Sequence, residues 1–158
     1  MLKVVVDTNL FVRAMLKGKT ALPLIKAWKK KRFELVISEA LLEELFEVLS
    51  RPKFTKYFTS EDIRELGIDI LERGRLVDPK EKIDLCRDPK DNIVLECALE
   101  GRREAKEAVY LVSEDKDLKD DEELKEKMKI LGVKVVGVGE FLEILENKKE
   151  IIRDECCS

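Results

Sequence analysis

The stretch Leu2-Lys3-Val4-Val5-Val6-Asp7-Thr8-Asn9 decides the fold. Its consecutive valines predict a buried strand of a parallel sheet, because such strands are apolar on both faces. A carboxylate that leaves the C-terminal end of a central parallel strand lies in the crevice where open α/β sheets bind their ligands. Asp7 or Thr8 would equally serve as the N-cap of the next helix, predicted over residues 10–16. This stretch alone leaves both interpretations open.

Strand and helix patterns alternate along the rest of the chain. Amphipathic helices separate four further apolar segments that are typical of strands: 33–37, the brief 76–77, 108–112 and 132–136. The alternation predicts an α/β protein, a three-layer α/β/α sandwich with a central, mainly parallel sheet. We expect one domain over residues 1–146 and a charged tail over residues 147–158.

Composition limits the chemistry that this chain can perform. The 158 residues are 41% charged, with no histidine or glutamine and three asparagines, which resembles the composition of hyperthermophile proteins. Without histidine, a hydrolase must use carboxylates, lysine, a hydroxyl or a bound metal. The four cysteines lack C-x-x-C spacing, so we expect no zinc site. No signal peptide or membrane-length apolar run is recognisable, which predicts a cytoplasmic protein without a membrane partner.

Positive charge is concentrated in the first part of the chain. Residues 1–58 hold 12 Lys and Arg against 6 Asp and Glu, whereas the remainder is acidic. Five cations crowd the end of a helix predicted over residues 20–32, where they would favour the negative end of the helix dipole. The sequence therefore leaves two interpretations open, a contact with a phosphate backbone or a solvated helix end. These cations are Lys26, Lys29, Lys30, Lys31 and Arg32.

Two further segments place acids at the starts or edges of helices. In the helix predicted over residues 39–49, Glu44 stands beside the apolar stripe, and geometry alone does not separate a functional acid from a boundary residue. In the next segment Pro89 suits the first helical position, which makes Asp88 the N-cap. Asp91 shares the inward face of that helix, because it lies three, four and seven residues before apolar positions. The pattern favours a functional role for Asp91 and capping for Asp88.

A second strand also ends in a hydroxyl residue and acids. Ser113 follows the strand 108–112, and Asp115 and Asp117 come soon after. Two strands would thus deliver carboxylates to the same edge of the sheet, joined there by Glu44 and Asp91. Packed carboxylates repel one another unless a cation lies among them, and ligation by oxygen alone suits Mg²⁺ or Mn²⁺.

Four motifs in order resemble those of PIN-domain nucleases, and most closely the VapC-like group, labelled toxins of toxin–antitoxin systems. The resemblance covers about residues 2–145. The motifs are Val-Val-Val-Asp7-Thr8-Asn9, Ile-Ser38 to Glu44-Leu-Phe-Glu, Arg-Asp88-Pro-Lys-Asp91-Asn and Leu-Val-Ser113-Glu-Asp115-Lys-Asp117.

The resemblance implies a metal-dependent ribonuclease that leaves 5′-phosphate and 3′-hydroxyl ends. It allows a small antitoxin protein as a partner, and a homodimer is expected. The family's acids match Asp7, Glu44, Asp91 and Asp115, with Asp117 as an alternate in the last motif; Thr8, Asn9 and Ser113 match as supporting residues, beside Asp88.

We assign Asp7 and Asp91 as metal ligands and Asp115 as a ligand directly or through water. Glu44 would orient the attacking water or complete a second metal position. The RNA backbone would be held by the five cations at residues 26–32 together with Arg51 and Lys53.

Two other functions remain open. A non-catalytic RNA-binding or partner-binding module would bind RNA without cutting it. A metal-dependent phosphatase is less favoured, because Asn9 occupies the position where a haloacid-dehalogenase-type enzyme needs its second acid.

Overall fold

The computed structural model describes residues 1–86 and 88–157, and only the backbone over residues 149–157. A short 3₁₀ helix, Pro52–Phe54, precedes α4. The other elements, in chain order, are β1 (Leu2–Val6), α1 (Thr8–Met15), α2 (Leu22–Lys29), β2 (Phe33–Ser38), α3 (Glu39–Leu49), α4 (Ser60–Arg73), β3 (Arg75–Val77), α5 (Pro89–Ala105), β4 (Val109–Val112), α6 (Lys116–Lys119), α7 (Glu122–Ile130), β5 (Val133–Val136) and α8 (Val138–Cys157).

The five strands form one sheet in the order β3-β2-β1-β4-β5, and every neighbouring pair is parallel. The chain builds β2 and β3 on one side of β1 and then returns to add β4 and β5 on the other. The strand order therefore reverses between β1 and β4. In open α/β sheets the crevice at such a reversal, outside the carboxyl ends of the strands, is where ligands bind.

Helices cover both faces of this sheet. Val4 and Val5, which point to opposite faces of β1, are both fully buried. Helix α5 packs across the centre of the sheet against β1, β2 and β4, while α1 packs on α2 and α3. The expected three-layer α/β/α architecture is confirmed.

Several local expectations were wrong. Helix α2 ends at Lys29 rather than at residue 32, because Lys31 adopts a left-handed conformation (φ 60°) that turns the chain into β2. Helix α6 was not expected. Helix α7 ends at Ile130, and Leu131, which follows it, is 51% exposed. Helix α8 continues to Cys157, through most of the segment described above as a charged tail.

The helices that the structure describes fall short of the requirements of a membrane-spanning segment. None of them combines the length and the apolar character that are needed to cross a bilayer.

Candidate functional site

Asp7 and Ser113 meet where β1 and β4 end side by side. Val6 lies opposite Val112 in the parallel ladder, so the residues that follow these two strands are neighbours. The hydroxyl of Ser113 donates a hydrogen bond of 2.8 Å to Oδ2 of Asp7, and both residues are buried. A buried carboxylate is thus fixed in the crevice at the strand reversal.

The carboxylate of Asp7 is not used as a helix cap. Asp7 occupies the N-cap position of α1, yet its side chain forms no capping hydrogen bond. The N–H groups of Thr8 and Asn9 are near enough to lower its pKa slightly without reaching that geometry. Burial has the largest effect and raises the pKa of Asp7; the bond from Ser113 opposes it and the charge of Asp115 adds to it.

Ser113 also positions Asp115. Its Oγ accepts a hydrogen bond of 3.0 Å from the backbone N–H of Asp115, so one hydroxyl joins the two acids. Oδ1 of Asp115 accepts from the N–H of Asp117 at 2.9 Å and caps α6. Asp115 is half-buried beside Asp7, whereas Asp117 is exposed. This difference favours Asp115 over Asp117 as the acid that faces the crevice.

Asp91 reaches the same edge of the sheet from the first turn of α5. It is 7% exposed, and burial raises its pKa to about 6, with further contributions from the charges of Asp115, Asp7, Asp88 and Asp117. Asp88 is the N-cap, as expected: its Oδ1 accepts a bond of 3.0 Å from the N–H of Lys90. The acids from β1, α5 and the end of β4 therefore act on one another electrostatically.

Glu44 is joined to the site through Thr8. The Thr8 hydroxyl donates a hydrogen bond of 3.1 Å to Oε2 of Glu44 and is itself buried next to Asp7. Burial raises the pKa of Glu44, while the bond from Thr8 and the positive charge of Lys90 oppose that rise. Its neighbour Glu43 is exposed and lines a different cleft. Of these two adjacent glutamates, the structure thus joins only Glu44 to the site.

A cleft of about 250 Å³ opens beside Asp7. Its lining includes one cation, Arg13, and one acid, Glu114, that the sequence did not single out, as well as Asn9 and Asp115. Arg13 follows Asn9 by four residues on α1, and this spacing was the one available signal, since it places two side chains on the same face of a helix.

Most of the cations that were expected to hold RNA lie elsewhere. Lys26 and Lys29 are in the last turn of α2, and the next three cations precede β2. Because Phe33 pairs with Leu2, this run lies level with the amino end of β1, about 17 Å from Asp7 at the rise of a strand. Arg51 is closer to the acids but forms a two-bond ion pair with Glu47.

Lys53, in the 3₁₀ helix, lies over the ring of Phe54, 5.1 Å from its centroid.

The donor chemistry of the site suits a hard divalent cation. The side chains gathered there offer carboxylate and hydroxyl oxygens, the ligands that Mg²⁺ and Mn²⁺ prefer. Burial raises the pKa of the nearby Cys86 to about 11, with the charge of Asp91 adding to the rise, so its thiol is protonated at neutral pH in the metal-free protein. Among the described residues, no three acidic or cysteine side chains form a ready-made metal-binding group. The fit therefore rests on the donor types and on the mutual repulsion of the acids.

Comparison with models of protein families gives a match over most of the chain. A family model described as PIN domain matches residues 3–117, a span that includes β1, α3, the start of α5 and the acids that follow β4. None of the curated proteins matches the chain.

Proposed function

The chain belongs to the PIN-domain family, whose members are generally nucleases, and from that premise we propose that it is a Mg²⁺- or Mn²⁺-dependent endoribonuclease. The observation that supports this most is the pair of buried acids Asp7 and Asp91. They lie at one edge of the sheet; burial raises the pKa of each, and the charge of Asp7 adds to the rise for Asp91. Two such acids lower the stability of the folded protein when no cation is bound, and a bound cation offsets this loss.

Each acid has a distinct role in this proposal. Asp7 and Asp91 would hold the cation, and Asp115 would hold it directly or through water, with Asp117 as the alternate. Glu44 would orient the attacking water or complete a second metal position. When bound there, a divalent cation would lower the pKa of water and offset negative charge on the phosphoryl oxygen.

The hydroxyl residues keep these acids in place. Ser113 holds one oxygen of Asp7 and the backbone of Asp115, and Thr8 holds one oxygen of Glu44. In Asp7 and Glu44 one carboxylate oxygen accepts a hydrogen bond from a hydroxyl, which fixes how the carboxylate faces a cation or water. Asn9 lines the cleft beside Asp7, and Asp88 fixes the start of α5 that carries Asp91.

Cleavage of an end-labelled single-stranded RNA tests this proposal. The wild type should cut in Mn²⁺ or Mg²⁺ and leave 5′-phosphate ends, whereas EDTA or Asp7→Asn should abolish cutting. Asp69→Asn, an equivalent change on α4 away from the acids, should cut like the wild type. RNA that binds but stays intact would favour a non-catalytic binding module, and hydrolysis of small phosphate esters alone would favour a phosphatase.

We extend the proposal to the toxin of a toxin–antitoxin pair that acts in the cytoplasm as a homodimer and is held inactive by a small antitoxin protein. The order of the four motifs, which resembles that of the VapC-like group, supports this extension. Production of the wild-type protein should stop bacterial growth, and Asp7→Asn should not. Normal growth with an RNA-cleaving wild type would contradict the toxin role and leave the nuclease intact.

A further inference from the structure

Four carboxylates create a difficulty for an anionic substrate. An RNA chain carries one negative charge per nucleotide, and the acids at the sheet edge repel it. Binding requires positive side chains beside the acids that are not already neutralised by ion pairs. In the described part of the chain, the exposed cations near the acids that are in no ion pair include Arg13 and Lys90, as well as Lys116 next to Asp115.

Arg13 borders the cleft from the α1 side. It lines the cleft together with Asp7 and Asp115, and its charge acts on Glu114 without forming an ion pair. Asn9, one helical turn earlier, brings an amide to the same cleft. A phosphate that rests there would meet a guanidinium and an amide, both of which donate hydrogen bonds to phosphate oxygens.

Lys90 borders the acids from the α5 side. It directly precedes Asp91 in the first turn of the helix, and its charge acts on both Glu44 and Glu47 of α3. The first turn of a helix also presents unpaired N–H groups and the positive end of the helix dipole to an anion. The acids thus lie between one cation on α1 and one on α5.

Two other cations near this edge are already paired. Lys119 forms an ion pair of 2.9 Å with Glu114, and Arg51 is bound by Glu47. The cleft on the β3 side would repel a phosphate, because five acids line it against a single lysine. These residues are Glu39, Glu43, Asp78, Glu81 and Glu96, with Lys82.

We propose that Arg13 and Lys90 form the phosphodiester-binding site for a single RNA strand, with one phosphate held on each side of the acids. The inference rests on the proposed nuclease function and names the residues that bring its substrate to the acids. It also replaces the basic run at the opposite edge of the sheet as the principal RNA contact.

Binding of a labelled single-stranded RNA in EDTA tests the site without cleavage. Removal of two phosphate contacts with Arg13→Gln/Lys90→Gln should weaken binding several-fold and reduce the slope of log K against log salt by about 1.4. The control pair Arg64→Gln/Lys129→Gln removes the same charges from exposed positions on α4 and α7 and should leave the slope unchanged. Melting temperatures should show that all variants are folded.

A second pair of substitutions tests whether RNA binds to the basic run instead. Lys26→Gln/Lys30→Gln removes two exposed cations from the opposite edge of the sheet. A loss of slope in this pair alone would overturn the proposal, as would equal losses in all three pairs or an absence of RNA binding by the wild type.

Cleavage kinetics separate this inference from the proposed function. With Mn²⁺, Arg13→Gln/Lys90→Gln should raise KM much more than it lowers kcat, because phosphates on either side of the cut are held equally before and during reaction. Cleavage with an unchanged KM would overturn the binding site and leave the nuclease standing. If the double variant loses slope in the binding assay but the wild type does not cleave RNA, the binding site stands and the nuclease function is overturned.

Discussion

Asp91→Asn should make the metal-free protein more stable at neutral pH. The amide keeps the shape of the side chain but cannot ionise, so it removes the repulsion from Asp115 and Asp7 and the cost of burying a charge. The backbone bond from the N–H of residue 91 to the carbonyl of Asp88 does not depend on the side chain and remains.

The magnitude follows from the pKa of Asp91. A rise from the usual 3.8 to about 6 corresponds to about 3 kcal/mol of lost stability when the group is ionised. This is an upper limit, because the residue keeps 7% of its surface exposed and water screens the charges. An acid in the first turn of a helix also gains about 0.3–1 kcal/mol from the helix dipole. We expect a net gain for the variant of about 1–2 kcal/mol, which is about 3–6 °C in melting temperature.

The effect of Asp91→Asn on stability depends on pH. Between the unfolded pKa of 3.8 and the folded value of about 6, the folded protein binds more protons than the unfolded chain. The stability that this group contributes is therefore complete below 3.8 and is lost as the pH rises through 6. The advantage of Asp91→Asn should be absent near pH 4 and complete above pH 7.

Thermal melts in EDTA from pH 4 to 8 check this expectation, and a second series with Mn²⁺ completes it. Saturating Mn²⁺ at 100 times its Kd should stabilise the wild type by about 2.7 kcal/mol and leave the variant unchanged. A variant that is less stable than the wild type at every pH would refute the repulsion argument and show that Asp91 mainly supports the start of α5.

Three further outcomes follow from the site. Glu44→Gln should lose most cleavage while Glu43→Gln keeps it, because only Glu44 brings a carboxylate to the site next to Thr8; equal rates would contradict this. Ser113→Ala should lower the free energy of unfolding in urea by about 1–3 kcal/mol, since it leaves buried polar groups unpaired; an unchanged midpoint would show that those bonds are not needed. Asp115→Asn should reduce the cleavage rate far more than Asp117→Asn, and the reverse order would make Asp117 the functional acid.

The sequence was sufficient wherever a local pattern and the global fold agreed. Three consecutive valines followed by an acid predicted strand β1, and its position at the centre of the sheet follows from burial on both faces. Asp88 was recognised as an N-cap because Pro89 suits the first helical position after it, and its side chain accepts the expected bond. Such features depend on residues a few positions apart.

Features that depend on distant residues were not predictable in this way. The position of the basic run relative to the acids follows from the pairing of Phe33 with Leu2, which no local pattern reveals. Lys90 was overlooked because its neighbours in the site come from α3, more than 40 residues away in sequence. The close packing of α5 on β2 at Gly101, where an added Cβ would meet Val36 at 3.0 Å, is likewise a contact between distant residues.

The most direct test is an anomalous difference map from a crystal of the wild-type protein soaked in Mn²⁺. We predict a peak at the carboxyl ends of β1 and β4, bound by oxygens of Asp7 and Asp91 and lost in Asp91→Asn. A protein that cuts RNA but shows no Mn²⁺ at these acids, or binds it at other residues, would contradict the assignment of the catalytic centre.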